Sequence, residues 1–479
     1  MSRKELTYPL LILGLMIAAY IGFFSYLSFT NHDHFLTNGF DLGIFDYAAW
    51  NNLHGNFFSA EFIGVDSLFA IHFQPILLPL GLGYLVWPDA KALLLVQTVV
   101  LALGALPLYW LAAEKLNAWA ALVFAAAYLL FPALQGANLF EFHPVTLAAG
   151  FLPFAYWYLQ QRRFWLFLSF SILAAACQED AVLFVGMLGF YLFVTQRNWR
   201  GLAVGLSGFA AFLFLTIIFI PTYAGSDTHF GLHRYEVLGD TIPQVLLTVL
   251  TRPLFVWDYI WSNPDKVRYI THLLAPVAYL SLLDPLTLLI AAPTIAMNLL
   301  SDLPTTYALD RFHYSVMVVP FVVASAINGA ALLIKLLRQK MTISPTFLTT
   351  AFMLMVLLTT LSYQLKFGHT PLSLSFAWPA GQARYDSAQQ MLQLISPDAV
   401  VSAQTSLSTH LTHRPAIYLF PRLTSSQYGP AEYIALDLQG NIFPIFQPEA
   451  YLEQVAALKA GQDYTILFEK DDYLLLRKR

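Results

Sequence analysis

Twelve stretches of this chain are apolar over lengths close to the thickness of a lipid bilayer: 7–29, 67–87, 91–113, 118–134, 144–160, 164–177, 181–195, 200–221, 270–284, 286–300, 313–336 and 345–365. A helix needs about 20 apolar residues to cross roughly 30 Å of hydrocarbon. Only 11% of the 479 residues are charged, against about a quarter in a soluble domain. The chain therefore reads as a membrane protein, not as a row of soluble domains. Its first run, Leu10 to Phe29, is too long for a signal-peptide core and has no small-residue cleavage site behind it. It is a retained span.

Positive charge on short loops sets orientation. Arg3 and Lys4 put the N-terminus in the cytoplasm. No further Lys or Arg occurs before Lys91, whereas Asp33, Asp41, Asp46, Glu61 and Asp66 do, so the first loop is external. If 67–87 crossed the membrane, Arg162/Arg163, Arg197/Arg200 and Lys335/Arg338/Lys340 would all fall outside. His72, Gln74, Pro75 and Pro79 suit a segment that dips in or lies along the interface, which is tolerated where it lines a protein cavity. A single kinked helix over 164–195 would leave one of the arginine pairs outside, so two short helices are preferred there. The expected fold is mainly α: a polytopic bundle of about eleven spans over residues 1–365, with external loops at 30–90 and 222–269, and the C-terminus outside.

Residues 366–479 have ordinary composition, with 9 of the 25 lysines and arginines and 10 of the 29 acids. A helix over 383–395, short helices over 406–413 and 448–458, and strands over 400–404, 416–420 and 433–437 are expected. A closing hairpin, 464–469 with 473–477, turns at Asp471-Asp472. Strands alternating with helices make a small α/β domain with a partly parallel sheet. His410, His413 and Arg414 are its most polar cluster and read as structural.

The net charge of -4 and the lack of a basic stripe exclude nucleic acid as a partner. A lone cysteine, Cys177, excludes an intramolecular disulfide framework and a cysteine-rich zinc site.

On this topology the unusual polar groups gather on the external side. Asp41 and Asp46 flank an apolar, aromatic stretch beside the membrane; Asp46 reads equally as a helix N-cap. Glu141 and His143 precede Pro144, which suits the first turn of a helix. The pair can ligate a divalent metal, or serve as a capping acid and an interfacial histidine. Glu179 and Asp180 lie close to hydrocarbon, where ionisable groups usually face a cavity. In the long loop, His233, Arg234 and Tyr235 follow one another, and Arg234 is the candidate for gripping a phosphate. His313 and Tyr314 stand at the start of a helix on the same side, and His72 and Gln74 in the non-spanning segment. No phosphate-binding loop, zinc-protease helix or nucleophile elbow is present. Co-location on one face is the signal.

The strings FDLGIFDYAAW (40–50), HFQPILLPL (72–80), EFHP (141–144), CQEDAVLFV (177–185), NLLS (298–301), HYSVMVVPF (313–321) and VVSAQTSLSTHLTHR (400–414) followed by IYLFP (417–421) resemble, in this order, the bacterial and archaeal membrane proteins of domain of unknown function 2079. That family is placed near the glycosyltransferases of the GT-C fold. The resemblance implies a prokaryotic plasma membrane protein that takes a sugar from a polyprenyl-phosphate carrier outside the membrane. The acceptor would be a glycan, a lipid or a protein. It also implies an acidic residue of the first external loop as base or metal ligand, which is Asp41, with Asp46 in reserve. An acidic pair in the second loop helps bind metal in such enzymes. Here it corresponds to Glu141 and His143, joined by Asp41, for magnesium or manganese; the histidine departs from the pattern. Arg234 would neutralise the departing phosphate. A transporter or flippase of lipid-linked sugars, which predicts inverted repeats and midplane charges, and a non-enzymatic envelope assembly protein are the competing readings. No repeat is visible.

Overall fold

The computed structural model describes residues 3–226, 229–340, 342 and 344–479. The side chains of Arg3 and Lys4, on which the inside N-terminus rests, lie outside the described residues. In chain order the helices are α1 (Arg3–Asp33), α2 (Ile44–Leu53), α3 (Lys91–Leu103) running on into α4 (Ala105–Lys115), α5 (Ala118–Leu129), α6 (Pro132–Leu139), α7 (Pro144–Gln160), α8 (Phe164–Ala175), α9 (Glu179–Gln196), α10 (Trp199–Phe214), α11 (Ile242–Thr251), α12 (Pro253–Trp261), α13 (Pro264–Leu274), α14 (Ala292–Leu300), α15 (Val319–Lys340) and α16 (Pro345–Phe367).

Among the described residues six helical stretches are long and apolar enough to cross a membrane: Thr7–Asp33, Lys91–Lys115, Glu179–Gln196, Trp199–Ala224, His313–Lys340 and Pro345–Phe367. A seventh is α5 with α6, if that pair, bent by 44°, is one span. Three of the eleven expected stretches (144–160, 164–177 and 286–300) are shorter helices. The stretch 270–284 is not one helix. After Leu274 the chain breaks into 3₁₀ turns, with Pro276 lacking an N–H and Ala278 and Tyr279 at φ 55° and 57°. Hydropathy does not register such a break. The segment 67–87 forms no continuous helix either. It runs from the end of a short strand through a 3₁₀ turn, Leu68–Ala70, one five-residue helix, Leu77–Gly81, and a second 3₁₀ turn, Leu82–Leu85.

Lipid cannot drive helix against helix by hydrophobicity, so membrane bundles pack through small residues. The α9–α10 contact shows this. Gly189 lies so close to the backbone of Gly205, and Gly208 to that of Gly186, that any side chain would collide.

Beyond α16 the chain forms a soluble-type layer, with α17 (Arg384–Leu392), β1 (Val401–Ala403), β2 (Ile417–Leu419), β3 (Tyr433–Asp437), α18 (Pro448–Ala460), β4 (Tyr464–Lys470) and β5 (Tyr473–Lys478). The sheet order is β2-β1-β3-β5-β4, with β1 parallel to β2 and β3, and β5 antiparallel to β3 and β4. Every residue of β3 is buried, as expected of a strand covered on both faces. On one face Tyr451 and Val455 of α18 pack with Phe420, Ile434, Leu436, Leu474 and Leu476. On the other face the core is continuous with the membrane body, so Val401 and Leu407 share a cluster with Leu42 and Phe62 of the first loop.

Candidate active site

Asp41 is set by a π-turn, Gly39–Gly43, closed by Gly43 N–H donating to Asn38 O at 3.2 Å. Such single turns are rare and recur at functional sites. Gly39 allows it because a Cβ there would overlap Ser408 Oγ and stand 2.9 Å from Phe62 Cζ. Its N–H donates to Thr405 Oγ1 at 2.9 Å. The tail thus grips the turn directly. The Asp41 side chain is 25% exposed.

Glu141, between α6 and α7, supports the turn from the helical bundle. Its carboxylate accepts Asn38 N–H at 2.9 and 2.8 Å, Asn38 Nδ2 at 2.7 Å and Leu42 N–H at 3.2 Å. Its backbone is held at φ 59°, an uncommon conformation for a residue with a side chain. Burial, then the charge of Asp41, push its pKa up to about 8, while the N–H groups of Asn38 and Leu42 pull it down.

The next residues turn into α7, with Pro144 at its first position. The Gln97 amide braces this turn. Nε2 donates to Glu141 O at 2.6 Å, and Oε1 accepts His143 N–H at 2.9 Å and Thr146 Oγ1–H at 2.6 Å. His143 Nε2 then lies 3.1 Å from Asp41 Oδ1. Its ring stacks on His313 at 4.0 Å between centroids, His313 lies 4.5 Å from Tyr314, and the Arg234 guanidinium sits 5.3 Å over Tyr314. Among the described residues, His143 Nδ1, His313 Nδ1 and Arg234 Nε are buried without a hydrogen-bond partner. Tyr235 follows Arg234. Burial, then the Asp180 carboxylate, raise its pKa, and Arg234 opposes them.

A second group abuts the first. Glu179, at the start of α9, pairs with His72 Nδ1 at 2.7 Å and accepts Phe73 N–H at 3.0 Å, with His229 Nε2 at 3.8 Å. Gln178 bridges Gln74 and Asp180 at 3.4 Å each. These contacts fasten the non-spanning segment to the helix end.

Two of the sequence candidates stand apart. Asp46 is fully buried and points to the tail, held by Tyr84, Thr412 and His413. His233 is exposed, with Nδ1 2.6 Å from Phe230 O. Glu141 does not fit as a metal ligand, because both its oxygens are engaged by N–H donors of the first loop. Among the described residues no group of three or more His, Cys, Asp or Glu side chains is arranged to hold a metal ion. Gln97, Thr405 and Ser408 are site residues that the sequence reading missed. A lone amide in the apolar run KALLLVQTVV (91–100) was the available signal for Gln97.

The family model described as Predicted membrane protein (DUF2079) matches residues 31–475. No curated protein matches the chain in sequence. Among solved structures, ArnT from Cupriavidus metallidurans bound to undecaprenyl phosphate is similar with a TM-score of 0.53 at 12% identity, over 96% of this chain and 97% of that one. The apo oligosaccharyltransferase of Archaeoglobus fulgidus gives a TM-score of 0.47 at 11% identity, over 91% of this chain and 70% of that one. The first likeness extends over the membrane body and the tail and gives the fold.

Proposed function

The chain belongs to the DUF2079 family of predicted membrane proteins, and on that premise we propose that it is a glycosyltransferase moving a sugar from a polyprenyl-phosphate donor to an acceptor outside the plasma membrane of a prokaryote. The fold is shared with a protein solved with undecaprenyl phosphate bound, and the donor class is taken from there. The observation that carries the reading is a partly open carboxylate, Asp41, bonded to His143 at the edge of a group of unpartnered buried nitrogens on His143, His313 and Arg234. Buried polar atoms without partners cost free energy unless a ligand satisfies them; Arg234 Nε is a donor and suits an anion, and the histidine nitrogens donate or accept according to tautomer.

In this mechanism the acceptor hydroxyl loses its proton to Asp41 as its oxygen attacks the anomeric carbon. The new C–O bond forms as the bond from that carbon to the phosphate oxygen breaks. The polyprenyl phosphate leaves with the electron pair, and Arg234 and His313 stabilise its charge. A positioned base typically contributes about 10²–10⁴-fold, and preorganised charge stabilisation usually contributes more. Glu141 holds the Asp41 turn. His72, Gln74, Glu179, Asp180 and Tyr235 close the floor of the site. A magnesium or manganese ion would find two donors here, Asp41 and His143, and no step is routed through one. In this arrangement the site faces outward and the N-terminus lies in the cytoplasm.

The test is loss of sugar from radiolabelled polyprenyl-phosphate sugars incubated with purified protein, wild type against Asp41→Asn. Turnover by wild type alone is expected. No turnover of any donor by folded protein, or equal turnover by Asp41→Asn, sinks the reading.

A further inference from the structure

At the end of the bundle remote from Asp41, the α7–α8 and α9–α10 turns form a half-open pocket of about 510 Å³, and the three arginines in its wall are exposed. Arg162, Arg197 and Arg200 line it with Phe164, Trp199 and Asn198, and no aspartate or glutamate does. Among the described residues none of the three arginines lies within ion-pair distance of a carboxylate. Glu114, near the end of α4, accepts from Gln161 Nε2 at 2.7 Å instead.

The two helix starts add positive potential without a counter-charge. Helices α8 and α10 both begin in the cavity wall, at Phe164 and Trp199. Their first N–H groups and dipoles present partial positive charge there. Asn198 caps only the Arg200 N–H, at 3.0 Å, and the α8 start has no side-chain cap. Finally, Arg162 and Arg197 both have left-handed backbones, at φ 56° and 51°. Glycine or asparagine fills such positions at less cost, so each turn carries strain while presenting an arginine.

The 18 residues of α9 separate this cavity from Glu179 by about 27 Å at 1.5 Å per residue. That is close to the hydrocarbon thickness. Trp165 and Trp199, each 72% exposed, fit the membrane–water boundary at this end.

We propose that this cavity binds the phosphate of an anionic phospholipid in the leaflet opposite the candidate active site. Guanidinium forks match phosphate oxygens in pairs, and basic pockets between spans on the cytoplasmic side are suited to anionic headgroups. The proposal stands independently of the glycosyltransferase reading.

The experiment places the full chain in phosphatidylcholine nanodiscs, with or without phosphatidylglycerol. Lipids retained by the released protein are counted by native mass spectrometry. Wild type retains one phosphatidylglycerol with at least tenfold preference over phosphatidylcholine. The variant Arg162→Gln/Arg197→Asn/Arg200→Gln loses that preference while melting like wild type in pure phosphatidylcholine. Arg200→Gln alone, at an ordinary helical position, weakens it several-fold and serves if the triple variant does not fold. Failure of millimolar glycerol phosphate to displace the lipid supports a lipid headgroup as the source of the phosphate. Complete displacement overturns that assignment in favour of a soluble phosphate ester. Equal retention of both lipids by wild type, or undiminished preference in a folded triple variant, overturns the site itself.

Discussion

His413 Nε2 lies 3.2 Å from Asp46 Oδ1, joining the tail to the loop that follows α1 across 367 positions of sequence. Tyr84 and Thr412 complete the shell around the same carboxylate. Asp46 is fully buried and His413 largely so. Five residues upstream, Asp41 sits on a turn that the tail also grips. Docking of the tail and placement of Asp41 are therefore one structural event.

This pair makes docking pH-dependent. Burial acts to raise the Asp46 pKa, but the charge and hydrogen bonds of His413, with those of Thr412 and Tyr84, outweigh it and hold the pKa down. Burial acts to lower that of His413, and Asp46 raises it overall. The carboxylate's contribution is present above its unfolded value of about 4 and is lost as pH falls through its depressed folded value. The imidazole's contribution is complete below about 6.5 and is lost as pH rises through its raised folded value. Limited proteolysis of the tail should be slowest between about pH 4 and 6.5 and should quicken above that window. His413→Ala should cost about 3 kcal/mol, since it strands a buried carboxylate, and should flatten the alkaline side of the profile. A profile unchanged by His413→Ala would remove the pair from this role.

Glu141 gives a second pH signature. Its carboxyl keeps its proton up to about pH 8 because burial and Asp41 disfavour the charge. Between about 4.5 and 8 the folded chain therefore binds more protons than the unfolded one, so this group's stability contribution falls as pH rises through that range. Glu141→Gln should remove that slope from the thermal midpoint, at a cost of about 1–3 kcal/mol at pH 7, because its amide NH2 faces the N–H donors of Asn38 or Leu42 in place of an oxygen. Glu141→Ala strands the N–H groups of Asn38 and Leu42 and should lose about 1–3 kcal/mol. Equal slopes in wild type and Glu141→Gln would show that the carboxyl titrates normally.

The same residue marks where sequence reading stopped. A glutamate and a histidine one residue apart suggest metal ligands by type alone. Which way Glu141 turns depends on a left-handed backbone at that residue and on N–H groups a hundred positions earlier, and neither is written in local pattern. The tail was more legible. Its strands are short apolar runs bounded by turn residues, and the expected 400–404, 416–420 and 433–437 correspond to Val401–Ala403, Ile417–Leu419 and Tyr433–Asp437. The Asp471-Asp472 hairpin likewise announces itself by two consecutive positive-φ residues of a favoured type. Asp46 shows the reverse. Its local sequence fits an N-cap or a catalytic acid equally well, and only its tertiary partner, His413, accounts for its burial. The 270–284 stretch had the hydropathy of a span, but Pro276 and the two left-handed residues after it decide the backbone.

Gln97 should behave as a positioning residue. Gln97→Leu keeps the volume and apolar character of the helix, yet leaves His143 N–H and Glu141 O without the partner they now share. Each buried orphan costs about 1–3 kcal/mol, so the melting temperature in detergent should fall clearly. On the transferase reading, kcat should drop with little change in KM, because His143 and Asp41 shift together while the phosphate grip at Arg234 is untouched. Wild-type stability in Gln97→Leu would mean that water replaces the amide without loss.

Gly39→Ala tests whether the tail sets the position of Asp41. The added methyl would enter the space of Ser408 Oγ and stand 2.9 Å from Phe62 Cζ. The turn has little room to yield, because Gly39 N–H is bonded to Thr405 and Glu141 holds Asn38 from the other side. Overpacking of this kind costs about 1–3 kcal/mol, and relief must come from moving the turn, Asp41 included, or from backing the tail away. Ser408→Ala removes the first obstacle and leaves the second. Gly39→Ala/Ser408→Ala should therefore recover part of the lost stability and transfer activity, while Ser408→Ala alone stays close to wild type. Partial rescue by a change in the tail is the outcome that a purely local effect on the turn cannot produce. If the double variant is no better than Gly39→Ala, the strain lies within the first loop, and the tail does not determine where Asp41 stands.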